Sequence, residues 1–359
     1  MSRPQHDGVE SVRSCGVEPE TGRTGRTEWL RTQQVGRRAA LLAVTTFAVA
    51  ACSRRASPDE ASQPAARAPA RSMPSIPSSA DLPVPPPYEV LSGEVERPCK
   101  VAAIRWLETA LTWTPQSGGG GGAADRLRRA KQPDTVAADV RPLLTGDVAS
   151  TLAVTYAQYG GLARDRTSAS VMVTAEQTVR PRAGERPLSR GVTLDVRLVK
   201  AGRDWRVSQV LLPPASRRVE GVSDAARRTL ASDRILLPAT ARADVDAGLV
   251  DDRVLTLLAE LSDRWTLEVL VLRSGHPRNV FGTDRPSNHT LGRAVDIWAI
   301  DGIPVINQRK ADWRGLMTAA AALGVNEIGG PKDLDARPRQ RPYYTDSVHQ
   351  DHVHLGFDI

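Results

Sequence analysis

The sequence predicts a mixed α+β protein with two folded domains, and three observations lead to that prediction. Apolar residues recur at helical spacing in residues 102–111, as on one face of an amphipathic helix. Residues 191–200 and 205–212 instead alternate apolar and polar side chains on either side of a glycine-containing turn, which is typical of a β-hairpin. A chain of 359 residues also has room for about two domains, at roughly 150 residues each.

Residues 1–51 have the character of an export signal. Arg37 and Arg38 precede an apolar stretch, residues 39–51, that runs directly into Cys52. Such a stretch is too short to cross a bilayer but suits the central region of a signal peptide. Because the stretch ends Val-Ala-Ala-Cys, it resembles a bacterial lipobox, so we expect Cys52 to be lipidated and to anchor the chain to the extracytoplasmic side of the cell membrane. An ordinary cleaved signal or a buried apolar helix is the alternative.

Composition narrows the range of partners. The formal net charge is +7, but the arginines are spread along the chain and aromatic residues make up only 4% of it. These features argue against a nucleic-acid partner and are compatible with affinity for an anionic surface such as a membrane or an acidic wall polymer. Outside the N-terminal region, Cys99 is the single cysteine, so no internal disulfide is expected.

Composition also marks the domain boundaries. Residues 52–88 are rich in Ala, Pro, Ser and Arg and lack an apolar period, which predicts a disordered tether. Two folded domains follow, residues 89–215 and residues 216–359, and Pro213-Pro214 precede the boundary. The sequence leaves open whether the polar residues 1–34 form a long extension of the signal or precede the true start of translation.

The first domain is predicted to run from helices to strands. The helix at 102–111 is followed by a flexible loop of five glycines, by one or two helices within residues 136–152, and by strands at 169–175, 191–200 and 205–212. This order resembles the NTF2-like fold, a cone-shaped α+β fold. Because we find no catalytic constellation in this domain, we expect it to act as a spacer or to bind a ligand.

The second domain alternates helices and short strands. Apolar spacing predicts helices at 251–263 and 312–323, with Gly324 ending the latter. Apolar runs predict strands at 267–272, 294–300 and 353–357.

Five of the six histidines lie in the last 84 residues of the chain, close to these strands. The period of two in a strand sends His352 and His354 to one face, and it places Asp296 on one face of the strand at 294–300. We expect Gly292 to let the chain turn so that His289 and Asp296 converge. Imidazole and carboxylate groups in this number are typical of a catalytic zinc site with one open coordination position.

The segment 287–296 matches SxHxxGxAxD, a motif of the D-alanyl-D-alanine carboxypeptidase/dipeptidase (M15-type) zinc peptidases, at every defined position. Asp351-x-x-His354 is similar to their second motif, and His352-x-His354 resembles the HxH signature of lysostaphin-type endopeptidases and hedgehog domains. The resemblance covers roughly residues 245–359. It implies an α+β zinc peptidase domain with an antiparallel sheet, in which Zn²⁺ is bound by His289, Asp296 and His354.

The same resemblance implies roles for the remaining residues. Asp351 would be the general base, and His352 would stabilise the oxyanion or share the base role. The family's substrate-steadying arginine corresponds to Arg278 or Arg273, each of which could equally be an arginine on a solvated loop. Three further residues could lie near the cleft. Glu327 could reach the cleft or stabilise a turn, and His276 and His349 are expected beside the site or at the surface rather than as ligands.

Ser287 is expected to orient the ligand loop by hydrogen bonding rather than to act as a nucleophile.

The two motifs and the export signal together predict a membrane-anchored zinc metallopeptidase. Such an enzyme would be a hydrolase of peptidoglycan peptides that cleaves at a bond containing a D-amino acid. The first alternative is a non-hydrolytic, zinc-containing lipoprotein that binds the cell wall. In a third interpretation, the NTF2-like domain carries the main function by binding a ligand or partner. Oligomeric state, bond specificity and the choice between carboxypeptidase and endopeptidase action are left open.

Overall fold

A computed structural model describes residues 82–335 and 342–358 of the chain. The predicted signal peptide, the predicted lipidation site Cys52 and the tether as far as residue 81 lie outside these residues. The described residues confirm the mixed α+β class with antiparallel sheets. Among them, no helix is both long enough and apolar enough to cross a membrane.

Two sheets divide the described chain into an N-terminal lobe, residues 82–212, and a C-terminal lobe, which begins at residue 216. Both belong to the same unit when the chain is divided by its internal contacts. The N-terminal lobe contains two α-helices and a four-stranded antiparallel sheet in the order β1-β2-β3-β4: α1 (Arg97–Leu111), α2 (Ala123–Arg129), β1 (Ala149–Leu162), β2 (Ser168–Arg180), β3 (Leu188–Ala201) and β4 (Asp204–Leu211).

Helix α1 packs across this sheet and contacts all four strands. Its first turn contains Pro98, a position where the missing backbone N–H of proline has no helical partner to lose. The predicted helix at 102–111 and the predicted hairpin are confirmed, because β3 and β4 pair antiparallel around a turn that contains Gly202. The last residues of the predicted tether are not free, since Leu82 is buried.

The prediction of one or two helices within residues 136–152 is correct only for a short 3₁₀ helix and is wrong from residue 149 onward. Residues Ala137–Leu143 form only a 3₁₀ helix, which contains Pro142, and β1 already begins at Ala149. Proline cannot donate a backbone hydrogen bond, which disfavours an α-helix at that point. Strand β1 was missed because most of it is buried on both faces, so that no alternating pattern marks it. Helix α2, after the glycine loop, was also not predicted.

The C-terminal lobe contains a sheet in the order β10-β9-β11-β7-β6-β5, with β8 paired to β7. Its pairs are antiparallel except for two short parallel ones at the edges, β5 with β6 and β9 with β10. The elements are α3 (Asp224–Ala231), β5 (Ile235–Leu236), α4 (Ala239–Asp246), α5 (Asp252–Ser262), β6 (Leu267–Val271), β7 (Ala294–Ile300), β8 (Ile303–Pro304), α6 (Trp313–Ala322), β9 (Glu327–Gly329), β10 (Tyr343–Tyr344) and β11 (Val353–Gly356).

The predicted helices and strands of this lobe are confirmed to within a few residues. Asp251 caps α5 by accepting a hydrogen bond from the backbone N–H of Arg253, which explains why aspartate stands at the start of that helix. Gly324 follows α6 with a φ of 87°, the left-handed conformation that commonly ends a helix.

The core of the C-terminal lobe lies on one face of its sheet. Val295 and Ile297 of β7 enter this core together with Val353 and Leu355 of β11. Because side chains alternate along a strand, Asp296 and His354 lie on the opposite face. The N-terminal lobe covers that face: the ring of Tyr156 on β1 stacks on Trp298 of β7, with ring centroids 4.3 Å apart.

Candidate metal centre

The predicted ligands His289, Asp296 and His354 come together where β7 and β11 pair. The antiparallel register places His354 directly opposite Asp296, and neighbours across such a pair are within side-chain contact. His289 arrives from the loop before β7, which turns at Gly292 with a φ of 70°. A Cβ at Gly292 would lie 2.2 Å from the carbonyl oxygen of Leu249, so the turn requires glycine for two independent reasons.

Three ligand-type atoms face one another at this point. Oδ1 of Asp296 is 3.1 Å from Nε2 of His289 and 2.9 Å from Nδ1 of His354, and the two nitrogens are 3.2 Å apart. All three side chains are buried. Zinc bonds of about 2.0–2.1 Å in a tetrahedron would separate the ligand atoms by roughly 3.3 Å. The triangle is therefore only slightly tighter than a zinc site requires.

The remaining nitrogens of the two histidines set their tautomers. Nδ1 of His289 lies 2.7 Å from the carbonyl oxygen of Leu272, which can only accept a hydrogen bond, so Nδ1 carries the proton and Nε2 presents a lone pair. Nε2 of His354 faces Oε2 of Glu327 at 3.4 Å, which leaves Nδ1 for a metal. Hydrogen bonds of this kind to the non-ligating nitrogen are typical of metal-bound histidines.

The electrostatics of the centre favour a cation. Burial alone would raise the pKa of Asp296, but interactions with His289 and His352 and hydrogen bonds from His289 and His354 hold it well below its ordinary value. Burial opposes ionisation of Glu327 as well, yet the hydrogen bond and charge of His354 lower its pKa to about 2. Conversely, Asp296 and Glu327 overcome burial and raise the pKa of His354 to about 9. A buried carboxylate, Asp296, and a half-buried one, Glu327, on either side of one imidazole therefore attract positive charge.

His276 offers a second possible grouping. Ligand-type atoms of His276, His289 and Asp296 lie within 4.8 Å of one another, so this group could also hold a metal. However, the rings of His276 and His289 are stacked, with centroids 4.1 Å apart and 16° between their planes. A metal lies close to the plane of each imidazole that binds it, and two nearly parallel stacked planes do not share such a point. The His354 grouping therefore fits one ion better, and His276 lies beside it.

Asp351 and His352 form a buried pair next to the ligands. Nδ1 of His352 is 2.7 Å from Oδ1 of Asp351, and Nε2 of His352 is 3.9 Å from Oδ1 of Asp296. The other oxygen of Asp351, Oδ2, is ion-paired with Lys100 of the N-terminal lobe. Burial would raise the pKa of Asp351, but Lys100 and His352 keep it below its ordinary value. Both oxygens of Asp351 are thus engaged, and His352 presents Nε2 toward the metal position.

The structure does not bring Arg278 to the centre. Its side chain is exposed, and its carbonyl oxygen accepts hydrogen bonds from the backbone N–H of Ser287 and the hydroxyl of Thr290. Arg273 donates Nε–H to the carbonyl oxygen of Thr290 and so supports the ligand loop. Ser287 accepts a hydrogen bond from the backbone N–H of His289 at 3.3 Å, the loop-orienting role expected from the sequence.

A cavity of about 370 Å³ opens beside the centre and exposes residues that the sequence did not single out. Arg285 lines it in place of Arg278. His349, which the sequence analysis expected beside the site or at the surface, also lines it, with Nδ1–H directed to Asp346 at 2.8 Å and Nε2 3.2 Å from the hydroxyl of Tyr344. Tyr159 and Gly160 of β1 contribute a wall from the N-terminal lobe. No sequence motif marks these residues, because they come from loops and from the other lobe.

Comparison with known proteins found no matching family model, no matching curated protein and no matching solved structure. The interpretation of the centre therefore depends on the two sequence motifs and on the geometry of the residues that they contain.

Proposed function

We propose that the chain is a zinc-dependent peptidase whose metal is bound by His289, Asp296 and His354. One observation carries the proposal: two imidazole nitrogens and a carboxylate oxygen lie 2.9–3.2 Å apart in a buried triangle, next to a cavity. Three protein ligands leave a fourth position of the tetrahedron for chemistry. Zinc bound there would supply Lewis-acid polarisation of the scissile carbonyl and would acidify a water molecule.

His352 is the best placed residue to accept a proton. Asp351 takes its Nδ1–H at 2.7 Å, so Nε2 is the basic nitrogen and points toward the ligands. This arrangement resembles the pairing of a carboxylate with a catalytic histidine, in which the carboxylate orients the ring and stabilises its charged form. We therefore assign the general-base role to His352 and the orienting role to Asp351, which the sequence motif alone had suggested as the base.

Peptidoglycan peptides are the proposed substrates. The motif in residues 287–296 resembles that of the M15-type carboxypeptidases and dipeptidases, and the sequence of residues 37–52 favours export and lipid anchoring at Cys52. A cavity of about 370 Å³ with one lining arginine, Arg285, suits a short peptide that carries a carboxylate. We extend the proposal to an NTF2-like fold for the N-terminal lobe, on the basis of its helix and four-stranded sheet.

A zinc-containing wall-binding lipoprotein without hydrolytic activity is the second candidate. The specific observation in its favour is that both oxygens of Asp351 are engaged, by Lys100 and by His352. A carboxylate held in this way cannot accept a proton from water without breaking one of these contacts. If His352 were also unable to act as a base, the centre would bind its ligand without cleaving it.

Zinc content and peptide cleavage, measured on the same samples of the full chain, test the proposal. Wild type should bind one zinc ion and release products from stem peptides. His289→Ala should lose the zinc, whereas His352→Gln should keep the zinc and lose roughly 10²–10⁴-fold in kcat. Arg278→Ala is the control, because this side chain is exposed and outside the cavity. Stoichiometric zinc without cleavage would favour the wall-binding candidate, and absence of zinc would refute both.

A further inference from the structure

Gln158 of the N-terminal lobe contacts a metal ligand directly. It lies on β1, its side chain is fully buried, and Nε2 donates a hydrogen bond to Oδ2 of Asp296 at 2.6 Å. Because Oδ1 of Asp296 faces His289 and His354, Gln158 engages the opposite oxygen and fixes the rotation of the carboxylate. The Oε1 atom of Gln158 has no hydrogen-bond partner among the described residues. An apolar side chain would avoid that unfavourable burial, so the amide is better explained by its bond to Asp296.

Lys100 of the same lobe is linked to His352, the proposed general base, by Asp351, which contacts both residues. It lies on α1, is fully buried, and forms ion pairs with Asp351 and with Glu94. Its ammonium group also lies 5.4 Å and 5.1 Å from the ring centroids of Tyr156 and Tyr159, a cation–π environment. The hydroxyl of Tyr156 donates to Glu94 at 3.1 Å. A continuous chain of contacts thus runs from Glu94 through Lys100 and Asp351 to His352.

Adhesion between the lobes does not require these buried charges. The stacked rings of Tyr156 and Trp298 already provide apolar contact between the lobes, and buried ion pairs often add little stability compared with apolar residues of similar size. Both polar contacts end on the centre: one on a ligand and the other on the partner of His352. Their common feature is the orientation of a reactive group.

We propose that the N-terminal lobe is a working part of the metal centre, in which Gln158 positions the ligand Asp296 and Lys100 positions the Asp351–His352 pair. This inference rests on the proposed function, and it replaces the expectation of a spacer or a separate ligand-binding domain. Gln158 and Lys100 are positioning residues, because each acts through another residue. Hydrogen-bonding partners of metal ligands typically change metal affinity or activity by 10–100-fold when they are mutated.

The first arm of the test measures zinc affinity by competition with a chelator, in the full chain. Gln158→Leu should weaken zinc binding about 10–100-fold. Gln177→Leu is the matched control, since Gln177 is a fully buried glutamine of the neighbouring strand β2 whose amide binds Leu143 and Ser150 away from the centre. Gln158→Asn, which withdraws the donor by one methylene group, provides the same comparison if the leucine variant fails to fold.

The second arm measures kcat and KM for stem-peptide cleavage. The double variant Lys100→Met/Glu94→Gln replaces both members of the Lys100–Glu94 ion pair by uncharged side chains, so that Asp351 keeps only His352 as its partner. We expect kcat to fall at least about tenfold, with KM and zinc affinity unchanged, and Lys100→Arg to retain part of the activity. Lys200→Met/Glu96→Gln is the matched control, because this pair lies in the same lobe at 3.7 Å without contact to the centre.

The outcomes separate the inference from the function on which it rests. Equal zinc affinities for Gln158→Leu and Gln177→Leu, or an unchanged kcat in the Lys100 double variant, would overturn the positioning role of the residue concerned. If the wild type binds zinc but cleaves no peptide, the proposed hydrolysis is wrong. The zinc-affinity measurement of the first arm would still test the role of Gln158. A wild type without zinc would overturn both.

Discussion

Glu94 takes up a proton as the pH falls below about 7, and a glutamine at this position would stay neutral at every pH. The cluster around Lys100 can therefore be tested without a substrate. Lys100 provides one positive charge between two buried carboxylates, Glu94 and Asp351. Asp351 has His352 as a second partner and keeps its charge. Burial, followed by repulsion from Asp351, raises the pKa of Glu94 from 4.5 to about 7, although Lys100 opposes the rise.

The size of the effect follows from this pKa. A rise from 4.5 to about 7 corresponds to about 3 kcal/mol at about 1.4 kcal/mol per pH unit. The side chain of Glu94 is only 2% exposed, so solvent screening reduces this value little. Because the folded protein binds the proton more tightly than the unfolded chain, the stabilisation is fully present below pH 4.5 and is lost as the pH rises through about 7.

Urea unfolding at pH 5 and pH 8, with a chelator present, measures this loss. We expect the wild type to lose up to about 3 kcal/mol from this group between the two conditions, and Glu94→Gln to lack that loss because its amide stays neutral. Glu176→Gln, at an exposed position of β2, should retain the wild-type dependence. If Glu94→Gln and wild type lose the same free energy of unfolding, Glu94 does not carry the proton and the charge assignment of the cluster is wrong.

Two further predictions concern the ligand loop and the cavity. Gly292→Ala should lower the free energy of unfolding by more than about 2 kcal/mol, because φ is positive and the new Cβ would clash with Leu249. Gly302→Ala is the control, since φ is also positive there but the space is open. Calorimetry should show a much smaller loss of unfolding free energy for this control. Arg285→Ala should raise KM for peptides with a free C-terminal carboxylate by about tenfold, with little change in kcat. The exposed control Arg278→Ala should leave KM unchanged. If KM is also unchanged in Arg285→Ala, Arg285 does not bind the substrate.

Part of the convergence of His289, Asp296 and His354 was predictable from the sequence because it is set by local features of the chain. A period of two places Asp296 and His354 on one face of each strand, and their register then sets them opposite each other. The turn at Gly292 carries His289 to the same place, and its left-handed φ explains why the motif contains glycine there. The strand faces and the turn each depend on fewer than about ten consecutive residues, within the reach of pattern analysis, whereas the pairing of β7 with β11 joins residues 58 positions apart.

The rest of the centre could not be predicted because its determinants are distant in the sequence. A lysine on a predicted helix is normally solvent-exposed, and nothing near Lys100 in the sequence indicates a partner 251 positions away. Gln158 lies on β1, which the sequence analysis assigned in part to a helix and otherwise did not recognise. Arg285 lines the cavity while Arg278, which the sequence analysis named together with Arg273, does not. This difference depends on the path of a loop, which spacing within the motif does not determine.

These distant contacts also change what the local motif means. On its own, Asp351-x-x-His354 suggests that the carboxylate accepts the proton, since acidic residues in that position do so in the proteins it resembles. In this chain Lys100 occupies Oδ2 and His352 occupies Oδ1 of Asp351, and for this reason we propose that the carboxylate orients His352 and that His352 is the base. Removing the N-terminal lobe would uncover this face of the sheet and leave Asp351 without its lysine and Asp296 without its amide, so that no contact from that lobe would fix the orientation of either carboxylate. All three proposed ligands belong to the C-terminal lobe, but we expect this lobe to need the N-terminal lobe to hold them in the geometry that binds a metal.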